Sequence, residues 1–142
     1  MKKILILLII ISNIAFSYIN IYPTKFEKDI SNGAEENFKL YNRSKDTVKY
    51  RIYLDDFTNK ENDMSKWIEL YPSSISLTPL EEKEIRLVVN KPLGAKPGKY
   101  GARLIIKEVR VASKKKQDKV QFMTILKFNM IGEIKEVKDE KK

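Results

Sequence analysis

The residue types that most often carry catalysis are missing from this sequence. Its 142 residues include no histidine and no cysteine. This removes the commonest general base, the Ser-His and Cys-His nucleophile pairs and the usual zinc ligands. We therefore predict that the protein is not an enzyme and that it uses no cofactor. Without thiols it can form no disulfide, so its stability has to come from core packing and strand pairing.

The acidic residues that come closest to a metal site are Asp55, Asp56, Glu61 and Asp63. A calcium ion needs six or more oxygen ligands in a loop of defined spacing, and these residues match no such loop. We interpret them as a solvated loop and predict no metal site. The net charge of +9 is spread along the chain, apart from the run 114–116 and a mixed tail, and no nucleic-acid-binding motif is present. Nucleic acid is therefore not an expected partner.

The candidate binding residues lie near the carboxyl end of the chain. Apolar residues occupy both alternating sets of positions there: Val120, Phe122, Leu126 and Phe128 in one set, and Met123, Ile125 and Ile131 in the other. A strand with apolar residues on both faces has two hydrophobic neighbours, which are the protein's own core and a partner. The alternative is an ordinary strand with a partly apolar outer face. The pattern does not say which face points outward.

The elements that would hold this strand are also strands. Alternation is clearest in the segments 47–55 and 82–89, and two short strands end at Pro72 and Pro79. We predict seven strands: A (18–28, interrupted at Pro23), B (36–42), C (47–55), D (67–71, continuing toward 77), E (82–89), F (99–111) and G (120–131). Short strands with regular turns are typical of an all-β, seven-stranded immunoglobulin-like sandwich. Tyr100 is a candidate tyrosine corner at the start of strand F.

The first residues have the pattern of a secretory signal peptide. Lys2 and Lys3 precede an apolar run, and Ala15-Phe16-Ser17 matches a cleavage site. The run is too short to cross a bilayer. We therefore predict a signal peptide over 1–17, the sandwich over 18–132 and a charged, disordered tail over 133–142. The expected location is the periplasm, the cell envelope or the extracellular space, with no integral membrane segment after cleavage.

Several short motifs occur in a telling order: Thr24-Lys25-Phe26, Leu40-Tyr41-Asn42-Arg43-Ser44, 50–55, 67–72, 77–79, Ile85-Arg86-Leu87 and Thr124-Ile125-Leu126-Lys127-Phe128. Together they resemble the amino-terminal immunoglobulin-like domain of the periplasmic pilus-assembly chaperones, the PapD-like family. The resemblance implies that the last strand pairs with a fibre subunit, an extreme form of β-augmentation. The segment Asn42-Arg43-Ser44, which also matches a glycosylation sequon, is a turn in this pattern.

The resemblance also implies roles for individual residues. Lys25 and Lys127 correspond to the basic pair that anchors the subunit's terminal carboxylate. The side chains donated to the subunit would be Val120, Phe122 and Leu126, with Met123 and Ile125 as the partner-binding set if the other face points outward. Lys25 stands where the family has an arginine, so it offers a point charge in place of a bidentate fork.

Two functions follow from these observations. The first is a single-domain chaperone-like protein that binds pilus or fimbrial subunits through its last strand. The alternative is a non-catalytic envelope or surface module, because the family has two sandwiches and this sequence accounts for one. An exposed strand edge has to be covered, so a homodimer formed through the same edge is a further expectation.

Overall fold

The computed structural model describes residues 19–57, 59–110 and 123–138. Nine strands lie within these ranges: β1 Ile19–Tyr22, β2 Phe26–Asp29, β3 Ala34–Asn42, β4 Val48–Asp55, β5 Ile68–Tyr71, β6 Ser74–Leu77, β7 Glu82–Val89, β8 Gly98–Val109 and β9 Ile125–Ile134. Two single-turn 3-10 helices, Lys60–Asn62 and Ser65–Trp67, lie between β4 and β5. The predicted all-β class is confirmed.

The strands form two sheets that pack face to face. The four-stranded sheet has the order β1-β3-β7-β5, and the five-stranded sheet has the order β2-β9-β8-β4-β6. Neighbouring strands run antiparallel except for β2 and β9, which are parallel. This arrangement is the immunoglobulin-like β-sandwich predicted from the alternating strands.

Two of the predicted strands are divided between the sheets. Strand A becomes β1 in one sheet and β2 in the other, and strand D becomes β5 and β6 in the same way. Each division falls at a proline, Pro23 or Pro72. Proline has no N–H to donate to a ladder, so a strand ends there and the chain is free to pair elsewhere. The prolines therefore mark the points where the chain crosses from one sheet to the other.

The core lies between the sheets and is built from alternate residues of the strands. The largest side chains that are fully buried are Phe26, Ile30, Phe38, Leu40, Tyr50, Ile52, Met64, Leu77, Ile85, Leu87, Leu104 and Ile106. Full burial of an aliphatic or aromatic side chain contributes about 1.5–3 kcal/mol each. Burial of Tyr50 raises its pKa to about 12, with the nearby Glu108 carboxylate as a second cause. Its hydroxyl is therefore not poised to act as a base near neutral pH.

Two polar groups fix the ends of the sandwich. The Tyr100 hydroxyl donates to the backbone carbonyl of Lys96 at 2.7 Å, and its ring packs on Trp67 with centroids 4.6 Å apart. This is the tyrosine-corner geometry predicted for this position.

At the other end of the sandwich Asn42 is fully buried. Its amide donates to the carbonyls of Asp46, Leu77 and Thr78, and its oxygen accepts from the Ser44 backbone and hydroxyl. The turn that contains the sequon is therefore a structural junction.

The boundaries of the sandwich differ from the prediction mainly at its carboxyl end. Strand β9 runs to Ile134, two residues past the predicted end of the sandwich at 132. Beyond it, the Lys135 N–H donates to the Ser31 hydroxyl oxygen at 3.0 Å, and the Lys135 ammonium lies 3.0 Å from an Asp29 carboxylate oxygen. The first part of the predicted tail is thus attached to the fold. The predicted signal peptide lies outside the described residues, as do Val120 and Phe122.

Candidate functional site

The candidate site is the edge of β9 that faces away from β8. Strand β9 pairs with β8 along its whole length, from Ile125 to Ile134. On its other side β2 pairs only with the stretch from Met130 to Glu133. Within the described residues no strand pairs with Ile125–Asn129 on that side. We call Ile125–Asn129 the open half of β9 and Met130–Glu133 the covered half.

The backbone of the open half points its hydrogen-bonding groups outward at alternate residues. The Glu108 N–H donates to the Thr124 carbonyl at 2.9 Å, so the even-numbered residues direct their backbone groups toward β8. The Ile30 N–H donates to the Glu133 carbonyl at 2.9 Å, so the odd-numbered residues direct theirs to the opposite side. By this alternation the N–H and C=O groups of Ile125 and Lys127 lie along the open edge, whereas the Asn129 carbonyl lies where the parallel ladder with β2 begins. The groups of Ile125 and Lys127 form a row on which a further strand can pair.

The side chains of β9 separate into two sets. Leu126 and Phe128 are half-buried against the core, with the Phe128 ring centroid 6.3 Å from that of Phe38. Met123 and Ile125 lie on the outer face and are 49% and 42% exposed. The outer face of the strand is therefore the odd-numbered one. Of the predicted partner-binding residues, Met123 and Ile125 are available to a partner in this conformation, while Leu126 is engaged with the core.

Of the two predicted anchoring lysines, Lys127 lies in the middle of the open half and Lys25 lies beside the end of that half. Phe26 is the cross-strand partner of Met130, so Lys25, one residue earlier, lies beside Asn129. Lys127 lies two residues before Asn129 on β9, about 6.6 Å away along the strand. Both side chains point to the outer face, but the Lys25 side chain is 75% exposed and its ammonium lies 3.2 Å from a Glu27 carboxylate oxygen. No described carboxylate forms an ion pair with Lys127.

The covered half is fastened to β2 by packing and by charge. Gly132 faces the core, and a Cβ atom there would lie 2.7 Å from Ile30 Cδ1 and 3.0 Å from Met64 Sδ. At the end of β2, hydrogen bonds from the Ser31 side chain and backbone, with a further one from Lys135, lower the pKa of Asp29 from 3.8 to about 2. In return the Asp29 carboxylate raises the pKa of Lys135. The open half lacks these attachments.

Among the described residues, no group of three or more histidine, cysteine, aspartate or glutamate side chains could hold a metal ion. No helix in the described ranges is long and apolar enough to cross a membrane. The grooves on the surface are open and shallow, such as one of about 330 Å³ near Asp46, Tyr50 and Thr124.

The sequence pattern missed one feature of this region, the row of cations on the outer face beside β9. Register aligns Arg51 of β4 with Lys107 of β8 and with Ile125 of β9, and it aligns Tyr53 with Ile105 and with Lys127. These residues are far apart in the sequence, so the charges look scattered until the strands are paired. Alternation of lysine and arginine within strand C was the available signal.

Comparison with known proteins supports the fold assignment. No protein-family model matches the sequence, and no curated protein matches it significantly. Among solved structures, the complex of the Salmonella enterica SafA pilin with the SafB chaperone matches with a TM-score of 0.65 and 13% identity, covering 87% of this chain and 57% of that one. The CsuC–CsuE chaperone–tip adhesion subunit complex of Acinetobacter baumannii gives 0.64 and 17%, covering 82% and 57%.

A solved structure of a single PapD-like domain matches with a similar TM-score. The seventh PapD-like domain of human CEP192 gives a TM-score of 0.62 and 14% identity, covering 85% of this chain and 87% of that one. The chain thus spans little more than half the length of the chaperones that it matches and most of the length of this domain. Identities this low are informative about the fold alone, and on that evidence the chain has the PapD-like immunoglobulin-like fold.

Proposed function

We propose that the protein is an exported, non-catalytic, chaperone-like module that binds surface-fibre subunits by strand pairing along the open half of β9. The observation that carries the proposal is the uncovered row of backbone groups at Ile125 and Lys127. An unpaired edge of this kind is a template for another strand, and main-chain hydrogen bonds would supply the affinity. The likeness to chaperones solved with a pilin or a tip adhesion subunit supports the choice of partner.

The outer-face side chains would then give the interaction its specificity. Met123 and Ile125 present apolar surface beside the open edge, and Val120 and Phe122 precede them in the sequence. Lys127, with Lys25 beside it, would hold a carboxylate at the end of the paired strand by a charge-assisted hydrogen bond. Because Lys25 already pairs with Glu27, Lys127 would contribute more to this contact than Lys25.

A second candidate is an envelope or surface binding module with no chaperone activity. It is favoured by the length comparison, since a lone PapD-like domain matches this chain nearly end to end. Such a module would use the same open edge for a different protein or for a second copy of itself. The partner recovered in the experiment below decides between these possibilities.

The experiment uses one position to separate backbone pairing from side-chain contact. Lys127→Pro removes both the cation and the outward N–H, whereas Lys127→Ala removes only the cation. Proline is tolerated where the N–H faces away from the ladder, so both variants should fold, which thermal melting checks. Tagged proteins are purified from the native envelope, and the partners that accompany them are identified and quantified.

Edge pairing predicts that Lys127→Pro loses the partner almost completely and that Lys127→Ala retains a reduced amount. Ile125→Glu should also lose the partner, whereas Ile131→Glu, the same change on the same face of the covered half, should keep it. Recovery of fibre subunits supports the chaperone function, and recovery of a different protein supports the second candidate. If a folded Lys127→Pro protein retains the full wild-type set of partners, strand pairing through β9 is wrong.

A further inference from the structure

The outer face of the five-stranded sheet carries a cluster of cations with no matching acids. Its members are Lys49, Arg51, Lys107 and Lys127, on the adjacent strands β4, β8 and β9. None of these four forms an ion pair with a carboxylate in the part of the chain that the structure describes. We call these residues, with the apolar side chains between them, the cationic face.

The register places two of the cations in direct opposition. Arg51 on β4 is the cross-strand partner of Lys107 on β8, and both point outward because their neighbours Ile52 and Ile106 are in the core. Directly opposite side chains have Cβ atoms about 4.5–5.5 Å apart, and like charges at that distance destabilise the sheet. Lys49 on β4 and Lys127 on β9 are both diagonal cross-strand neighbours of Lys107, and they add to the repulsion. An anion bound at this face would relieve it.

Apolar side chains lie between these charges. Tyr53 and Val109 are each 39% exposed, and Ile125 completes the set on β9. Ile105, in the middle of the face, is only 2% exposed although it lies outside the core between the sheets. Its side chain is therefore enclosed by its neighbours, and the exposed apolar surface of the face is divided among Tyr53, Val109 and Ile125.

This shape favours one kind of occupant. A lipid surface is bound best when several large apolar side chains enter the acyl region together, whereas the exposed apolar residues here, Tyr53, Val109 and Ile125, are each less than half exposed. An extended polypeptide repeats its side-chain direction about every 6.6 Å, which matches the spacing of Lys49 and Arg51 along β4. Carboxylates at alternate positions of such a segment can reach the cations while the residues between them contact Tyr53 and Val109.

We propose that the cationic face binds an extended acidic segment of a partner protein. The cationic face shares Ile125 and Lys127 with the open half of β9, but its opposed pair, Arg51 and Lys107, lies on strands that are paired on both sides and offer no edge. A test that changes only Arg51 and Lys107 leaves edge pairing intact, so the two proposals fail independently. A fibre subunit paired on β9 could also reach this face with an acidic segment of its own.

The test uses a synthetic eight-residue peptide in which glutamate and leucine alternate, capped at both ends and carrying a fluorophore. Binding to the purified protein is followed by fluorescence anisotropy at low and at physiological salt. The peptide with glutamine in place of every glutamate is the ligand control. The protein variant is Arg51→Gln/Lys107→Gln. Its matched control is Lys39→Gln/Arg86→Gln, which removes the same charge from the outer face of the other sheet.

We expect the acidic peptide to bind the wild type more weakly as salt increases, because exposed charges are screened. The Arg51/Lys107 variant should bind it about tenfold more weakly, as expected for two partly exposed ion pairs of up to about 1 kcal/mol each. The Lys39/Arg86 variant should change the affinity by less than about twofold. In thermal melting the Arg51/Lys107 variant should be at least as stable as the wild type, because the repulsion is gone.

Four results would overturn the proposal. The first is equal weakening by both double variants, which would mean that net charge alone attracts the peptide. The second is equal binding of the glutamine peptide. The third is binding to phosphatidylglycerol vesicles that an excess of the acidic peptide does not displace. The fourth is a dimer in sedimentation experiments that the Arg51/Lys107 change dissociates, which would assign the face to a second copy of the chain.

Discussion

The two halves of β9 share one strand and one face but differ in what stabilises them. The covered half, Met130–Glu133, is paired on both sides and accommodates Ile30 at Gly132. The open half, Ile125–Asn129, is paired only with β8, and its outer face exposes Ile125 beside Lys127. One continuous strand therefore holds the fold together with its second half, while the outer edge of its first half pairs with no strand in the described part of the chain.

The largest expected effect comes from closing the space at Gly132. Gly132→Ala puts a methyl group 2.7 Å from the Cδ1 atom of the buried Ile30, and overpacking of this kind destabilises by about 1–3 kcal/mol. Chemical denaturation of the purified protein measures the change. Ile30→Val removes the obstructing Cδ1, so the double variant should be more stable than the sum of the two single changes implies. Strictly additive losses would mean that this close contact does not determine the packing of the covered half.

A smaller effect separates the two faces of the open half. Leu126→Ala removes a half-buried side chain that packs on the core and should destabilise by about 1–2 kcal/mol, less than a fully buried leucine. Ile125→Ala, next to it but on the outer face, should change stability by less than about 0.5 kcal/mol. The same denaturation experiment measures both. Equal losses at the two positions would contradict the assignment of Ile125 to the outer face.

The smallest expected effect is a pH dependence confined to the covered half. The pKa of Asp29 is lowered from 3.8 to about 2, mainly by hydrogen bonds from Ser31 and then by Lys135. A carboxyl group whose pKa is lower in the folded state than in the unfolded state stabilises the protein at pH values above the unfolded-state pKa. That contribution is lost as the pH falls from about 4 to about 2. Asp29→Asn should therefore lose less stability than the wild type over this range. Melting temperatures at several pH values between 5 and 2 measure it, and parallel curves would rule out a contribution from Asp29.

The sequence predicted the regular strands well because one face of each is buried. Strand E was predicted at 82–89, and β7 spans Glu82–Val89. Ile85, Leu87 and Val89 fall on one face and the charged Glu84 and Arg86 on the other, which leaves one consistent assignment. The last strand lacks that asymmetry. Leu126 and Phe128 on one face and Ile125 and Ile131 on the other are comparably apolar, so only the closure of the sandwich decides which set is inside.

The candidate site could be predicted only in part, for a related reason. The residues of β9 were found from their two-sided pattern, but the open half exists because β2 pairs in parallel with the second half alone. That pairing joins the two ends of the chain and has no local signal beyond Pro23. The opposition of Arg51 and Lys107 is likewise a property of strand register, so the even spread of charge along the chain concealed it.

The burial of Asn42 has a consequence for how the protein can be produced. Its side-chain amide is enclosed and fully engaged in holding the turn at the end of β3, yet Asn42-Arg43-Ser44 is an acceptor sequence for asparagine-linked sugars. In a eukaryotic secretory host the oligosaccharide transferase meets the chain before the sandwich closes. A glycan added at that moment would be attached to the amide nitrogen that donates to the carbonyls of Asp46, Leu77 and Thr78. It would prevent burial of Asn42 and keep the chain from folding. Recombinant expression therefore belongs in bacteria, or requires a host that lacks this modification.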